Sequence, residues 1–91
     1  MNVSGVIESI GDIERIALPN KPVHFKREVL LYVPGEFPKH VMVKFWGEKV
    51  CSHLSTHRVG DKVHVLSNVE SKLIHDNWQT NITGYYIKSI D

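Results

Sequence analysis

Six histidines and one cysteine are the residues of this 91-residue chain that could hold a metal or act as a nucleophile. Three of them lie close together in Cys51-Ser52-His53-Leu54-Ser55-Thr56-His57. His53 and His57 are four residues apart, so a helix would place both on one face. Two histidines so placed can bind zinc, but a site needs a third ligand and usually a fourth. Cys51 is two residues from His53 and falls on a different side of the helix. No Cys-x-x-Cys, no carboxylate cluster and no Glu inside the His-to-His interval adds a donor. Solvated helix histidines are expected, beside a half-buried thiol packed with Val50 and Leu54. No metal and no cofactor is expected. The chain also lacks a Gly-x-Ser-x-Gly, a phosphate-binding glycine loop and a dinucleotide fingerprint. It does not read as an enzyme.

Aromatic rings and lysines are the remaining candidates. Two tryptophans, three tyrosines and three phenylalanines accompany eleven basic and ten acidic residues, for a net charge of +1. The charge is uneven. Residues 21–49 carry Lys21, Lys26, Arg27, Lys39, Lys44 and Lys49 against Glu28, Glu36 and Glu48. Residues 1–20 carry Arg15 against Glu8, Asp12 and Glu14. A mildly basic middle is the only electrostatic feature. The length fits one domain, residues 1–91, with a small core. The apolar fraction of 42% is that of a folded protein. No apolar run approaches the length of a membrane span, and no signal peptide is visible at the N-terminus. A single cysteine rules out an internal disulfide. A cytoplasmic protein with no membrane contact is expected, in a bacterial cell or encoded by a phage or plasmid within one.

The elements that must position these residues read mostly with period two. Val3, Gly5 and Ile7 alternate with Ser4, Val6 and Glu8, a strand with a glycine bend or bulge. Residues 11–22 read as a long connection broken by Gly11, Pro19, Asn20 and Pro22, with Ile13, Ile16 and Leu18 partly packed down. A second strand, about Val23–Val33, puts Val29, Leu31 and Val33 on one face and Lys26, Glu28, Leu30 and Tyr32 on the other. The turn Pro34–Pro38 leads to a third strand, about His40–Trp46. Val41, Val43 and Phe45 point inward there, and His40, Met42, Lys44 and Trp46 outward. From Glu48 to His57 the spacing becomes helical. Val63 and Val65 begin a fourth strand, Ser71–Asn77 reads as a polar hairpin loop, and a fifth strand runs from about Trp78 to Ile90. Ile82 and Ile87 both look like core residues at an odd separation, so a bulge is expected near Gly84-Tyr85. The order β-β-β-α-β-β is that of a five-stranded OB-fold barrel: all-β with one short helix.

Phe45-Trp46-Gly47, the short helix and Val59-Gly60-Asp61-Lys62-Val63-His64-Val65 resemble the corresponding part of bacterial single-stranded-DNA-binding proteins. The chain is also similar to a group of short proteins of that type with unknown function. The residues concerned are Val3-x-Gly5-x-Ile7, Phe37-Pro38-Lys39-x-Val41, Phe45-Trp46-Gly47-x-Lys49, Gly60-Asp61-Lys62-Val63 and Trp78-x-Thr80-x-Ile82. The match spans nearly the whole chain outside residues 11–22. In that family bases stack on exposed rings while lysines follow the phosphates. The resemblance implies that Trp46, just before the helix-opening glycine, is a stacking residue. The hairpin ahead of the last strand often clamps a single strand in this family.

The expected contact set is Trp46, Lys44, Lys26 and Tyr32 on one surface, with Lys72 and His75 from the hairpin. Trp78 joins it unless it packs in the core, an equal alternative given its phase with Ile82. Lys39 and Lys62 stand at strand ends as further phosphate contacts or simple solvated lysines. Tyr85 sits at the expected bulge, where its ring could pack or stack, with packing the leading expectation. The implied partner is single-stranded DNA, with RNA left open, bound without strong sequence preference during replication, recombination or repair. A homo-oligomer is expected, because copies would multiply a weak site. The family's acidic C-terminal tip, which recruits other proteins, has no counterpart in Ile90-Asp91. The competing possibility is an OB module whose exposed aromatics serve protein assembly without nucleic acid.

Overall fold

The protein is described here by a computed structural model covering residues 1–90. Asp91 lies outside the described residues. Strands β1 (Asn2–Ile10), β2 (Glu14–Ile16), β3 (His24–Val33) and β4 (Lys39–Trp46) precede helix α1 (Glu48–His53); β5 (Lys62–Ile74) and β6 (Asn77–Ser89) follow it. The sheet order is β1-β5-β6-β4-β3-β2, and β1 also pairs with β3. That second pairing closes five long strands into a barrel, with the helix between the third and fourth of them. The barrel is the OB-fold that the element order implies. All pairings are antiparallel except β4 with β6, which meet in parallel at Lys44–Thr83 and Phe45–Gly84.

Strand alternation decides the core. Val3, Ile7, Val29, Leu31, Val43, Phe45, Val63, Val65 and Ile87 face inward, and Leu54 closes one end from the turn after α1. Two glycines allow this closeness. A Cβ on Gly5 would sit 2.6 Å from the Tyr32 carbonyl oxygen, and one on Gly84 would sit 2.5 Å from Cε1 of Phe45. The bulge expected near Gly84-Tyr85 is present. Leu66 pairs with Tyr86 and Ser67 with Gly84, which leaves Tyr85 as the extra residue. The irregularity in β1 falls between Ile7 and Ser9 rather than at Gly5.

Several expectations are corrected. Residues 11–22 are not one long connection, because Glu14, Arg15 and Ile16 pair with Lys26, Phe25 and His24. Of the apolar residues there, only Ile16 is partly covered, while Ile13 and Leu18 are exposed. The helix is shorter than expected: α1 ends at His53, and Leu54–Thr56 form a 3-10 turn. His57 is not solvated but buried, and its Nε2 has no hydrogen-bond partner among the described residues. Cys51 is fully rather than half buried.

The largest difference is at Ser71–Asn77, which is not a loop. The β5–β6 ladder runs without interruption from Ser67–Gly84 to Ile74–Asn77. His75 (φ 50°) and Asp76 (φ 64°) alone turn the chain. Two successive positive φ values are the geometry of a primed two-residue hairpin turn, which matches the twist of the flanking strands. The result is a projecting arm. The radius of gyration is 14.0 Å and the extents are 44 × 32 × 17 Å, against about 12 Å for a compact chain of this length.

Candidate nucleic-acid interface

The outer face of β3 and β4 carries cross-strand pairs Lys26–Trp46, Glu28–Lys44, Leu30–Met42 and Tyr32–His40. Period two makes this the face opposite Val29, Leu31, Val43 and Phe45. Trp46, Lys44, Lys26 and Tyr32 therefore share one surface. Trp46 is 43% exposed. The Lys26 ammonium lies 5.8 Å from its centroid, within cation–π range. His24 meets the same ring edge-on at 6.5 Å.

The cations on this face are largely committed within the chain. Lys26 Nζ is 3.4 Å from Glu14 Oε2 and 3.5 Å from Glu28 Oε1. Lys44 Nζ donates to Asn81 Oδ1 at 2.9 Å. Tyr32 lies 5.5 Å from the His40 ring, and His40 Nε2 is 3.0 Å from Glu8 Oε2. The face thus offers rings and partly neutralised lysines rather than a strongly positive groove.

The remaining candidates separate. In the arm, Glu70, Lys72 and Ile74 lie opposite Asn81, Gln79 and Asn77 on one face, while Val69, Ser71 and Leu73 lie opposite Ile82, Thr80 and Trp78 on the other. Because Lys44 reaches Asn81, Lys72 belongs to the face of Trp46. Lys72 is ion-paired with Glu70 at 3.4 Å. Trp78 is 72% exposed on the opposite face of the arm. It is neither a core residue nor a neighbour of Trp46, because the barrel ends before its strand does. His75 occupies the tip turn. Lys39 and Lys62 are the exposed first residues of β4 and β5.

Two further rings are exposed, Tyr85, for which packing was the leading expectation, and Tyr86, which the sequence analysis did not single out. Tyr85 is 58% and Tyr86 49% exposed, so Tyr85 is not packed. Gly84 and Ile87 both face inward three residues apart, and the bulge leaves both tyrosines between them outside. The bulge expected from Ile82 and Ile87 was the signal that could have identified them. They border a shallow depression with Lys49, Val50, His53 and Ile87.

Beneath these faces the helix is tied to the barrel. Arg27 donates from Nε to the Gly11 carbonyl at 2.7 Å, and from one terminal nitrogen to the Cys51 carbonyl at 3.0 Å and Ser55 Oγ at 2.9 Å. Burial pushes the Cys51 thiol pKa up, and the Arg27 charge opposes the shift. No group of three or more metal-ligating side chains is assembled among the described residues. Among the described residues, no helix is long and apolar enough to cross a membrane.

Solved structures share this architecture. The mitochondrial single-stranded DNA binding protein Rim1 of S. cerevisiae superposes with a TM-score of 0.74 at 13% identity, over 99% of this chain and 92% of that one. The SSB domain of a Synechococcus sp. protein gives 0.68 at 20% identity, over 96% and 90%. The second single-stranded DNA binding protein of Mycobacterium smegmatis gives 0.59 at 15%, over 99% and 84%. At these identities the likeness is one of fold. No curated protein matches the sequence. Residues 2–88 match the family described as a domain of unknown function, DUF3127, and the chain belongs to that family.

Proposed function

We propose that the protein binds single-stranded DNA on the outer face of β3 and β4, by base stacking and without sequence readout. The observation that carries this is the Trp46 ring, open to solvent and held in place by Lys26 and His24. A flat ring fixed by its neighbours loses little freedom when a base stacks on it, and every base has a π-face. Lys44 and Lys72 continue the same face toward the arm, where they would meet phosphates. Their internal partners are neutral or exposed, and a phosphate can replace them. The shared fold with proteins named for single-stranded DNA binding supports the same conclusion. Such a protein would cover single strands during replication, recombination or repair, with copies of the chain acting together.

Titrating the protein with oligo-dT and with oligo-U while following tryptophan fluorescence tests this, at a low and a higher salt concentration. A saturable quench that weakens with salt is expected, and the two oligomers report the DNA-to-RNA preference. No saturable change with either oligomer at low salt would overturn the assignment.

A further inference from the structure

The arm formed by β5 and β6 is amphipathic. Its Lys72 face carries Glu70, Lys72, Asn77, Gln79 and Asn81. Its other face carries the pairs Val69–Ile82, Ser71–Thr80 and Leu73–Trp78. No ionisable group is among these six. Val69, Leu73 and Trp78 are 49%, 56% and 72% exposed. This face continues the inward phase of Val63, Val65 and Ser67 past the rim of the barrel, where it stays exposed among the described residues. Ile82, at the root, still packs partly against the core. Exposed apolar surface arranged in one contiguous stripe marks an interaction site more often than scattered residues do.

The central pair allows the stripe to be buried whole. Ser71 Oγ and Thr80 Oγ1 are 3.0 Å apart and hydrogen-bond each other. Covering them therefore leaves fewer unsatisfied hydroxyl groups than their residue types suggest. The pattern is also self-complementary. It runs apolar pair, hydroxyl pair, apolar pair, so a two-fold axis through Ser71–Thr80 brings Val69–Ile82 of one copy onto Leu73–Trp78 of the other. A closed isologous contact needs this property. A nucleic-acid strand would find no cation among these side chains.

We infer that this face of the arm is a homodimerisation surface, on which the arm of a second copy packs face to face. Antiparallel sheets stack at about 10 Å with their side chains interdigitated. The six side chains offer on the order of 450 Å² per copy, so a pair would bury about 900 Å², below the ~1,200 Å² of stable specific interfaces and in the range of weak, transient ones. The dimer is therefore concentration-dependent. Being apolar, it is insensitive to salt. It leaves the Trp46 face free, so it stands independently of the nucleic-acid assignment.

Sedimentation equilibrium of the full chain, from low micromolar to millimolar concentration at two salt concentrations, tests the inference. The wild type should shift from one-chain to two-chain mass as concentration rises, equally at both salts. Leu73→Glu puts a carboxylate at an exposed position of the stripe. It should raise the dimer dissociation constant at least about thirtyfold, because the charge would be buried unpaired. Trp78→Ser should act in the same direction. Gln79→Glu, on the opposite face, should leave the dimer unchanged. Circular dichroism melts establish that each variant is folded. A wild type that stays at one-chain mass throughout would overturn the inference. So would a folded Leu73→Glu and Trp78→Ser that both dimerise like the wild type. If the wild type stays monomeric while both stripe variants lose oligo-dT binding, the face receives bases instead.

Discussion

The ammonium of Lys26 sits 5.8 Å from the centre of the Trp46 ring and within 3.5 Å of carboxylate oxygens from Glu14 and Glu28. The ring is thus positioned by a cation whose charge two acids already offset. Stacking and ion pairing, which would act together on a bare basic strip, are separated on this face.

Trp46→Ala removes the platform without touching the core. Binding of oligo-dT should weaken by about 1–3 kcal/mol per stacked base, with the melting temperature nearly unchanged. Val43 faces the other way and is fully buried. Val43→Ala should lower stability by about 1–2 kcal/mol through the cavity it leaves, with binding per folded molecule preserved. A Trp46→Ala protein that unfolds, yet binds normally where folded, would make Trp46 structural.

Salt dependence should be shallow. Single strands lose affinity with a slope of about −0.7 per phosphate neutralised. With Lys26 paired internally, one or two contacts per chain predict a slope of about −0.7 to −1.4 in log affinity against log salt. Glu28→Gln frees Lys26 from one acid and should tighten binding and steepen that slope. An unchanged slope in this variant would place the phosphates away from Lys26.

Gly84→Ala should destabilise the barrel, because its Cβ would meet the Phe45 ring at 2.5 Å and Val43 Cγ1 at 2.9 Å. The cost of such overpacking is typically about 1–3 kcal/mol, measurable by urea unfolding. Wild-type stability in the variant would show that the β4–β6 junction can open at little cost.

Cys51 contributes an alkaline limit to stability. Its folded pKa lies above the ordinary 9.0, with burial as the main cause. The unfolded thiol therefore ionises first. The stability this group contributes is full below about pH 9 and declines as pH rises through the folded pKa. Cys51→Ala should be less stable at neutral pH but lose less between pH 9 and pH 10.5. Parallel urea denaturation series across that range decide it; equal losses would remove the thiol as a cause.

The barrel was legible in the chain because its strands carry the core. Val29 and Leu31, Val43 and Phe45, and Val63 and Val65 each repeat at period two, so strand identity and the inward face follow from spacing alone. The break at Gly47 and the odd separation of Ile82 and Ile87 likewise announced the helix and the bulge. The same phase placed Trp46 outside beside Lys44.

Two features were not legible, for different physical reasons. Ser71–Asn77 has polar residues where a core strand would have apolar ones, so it resembles a loop. It is a strand because its backbone groups pair across the hairpin, and its Leu73 and Trp78 lie beyond the reach of any core. Local composition decides solubility there, while the ladder decides conformation. Glu14-Arg15-Ile16 has no strand pattern. It becomes β2 only by pairing with β3, and that register sets Glu14 opposite Lys26. Residue types and alternation by themselves determined the barrel, its core and the exposure of Trp46. Tertiary pairing alone decided which charges meet on that surface, because Coulomb energy depends on distances between residues remote in the chain, and period-two spacing does not encode them.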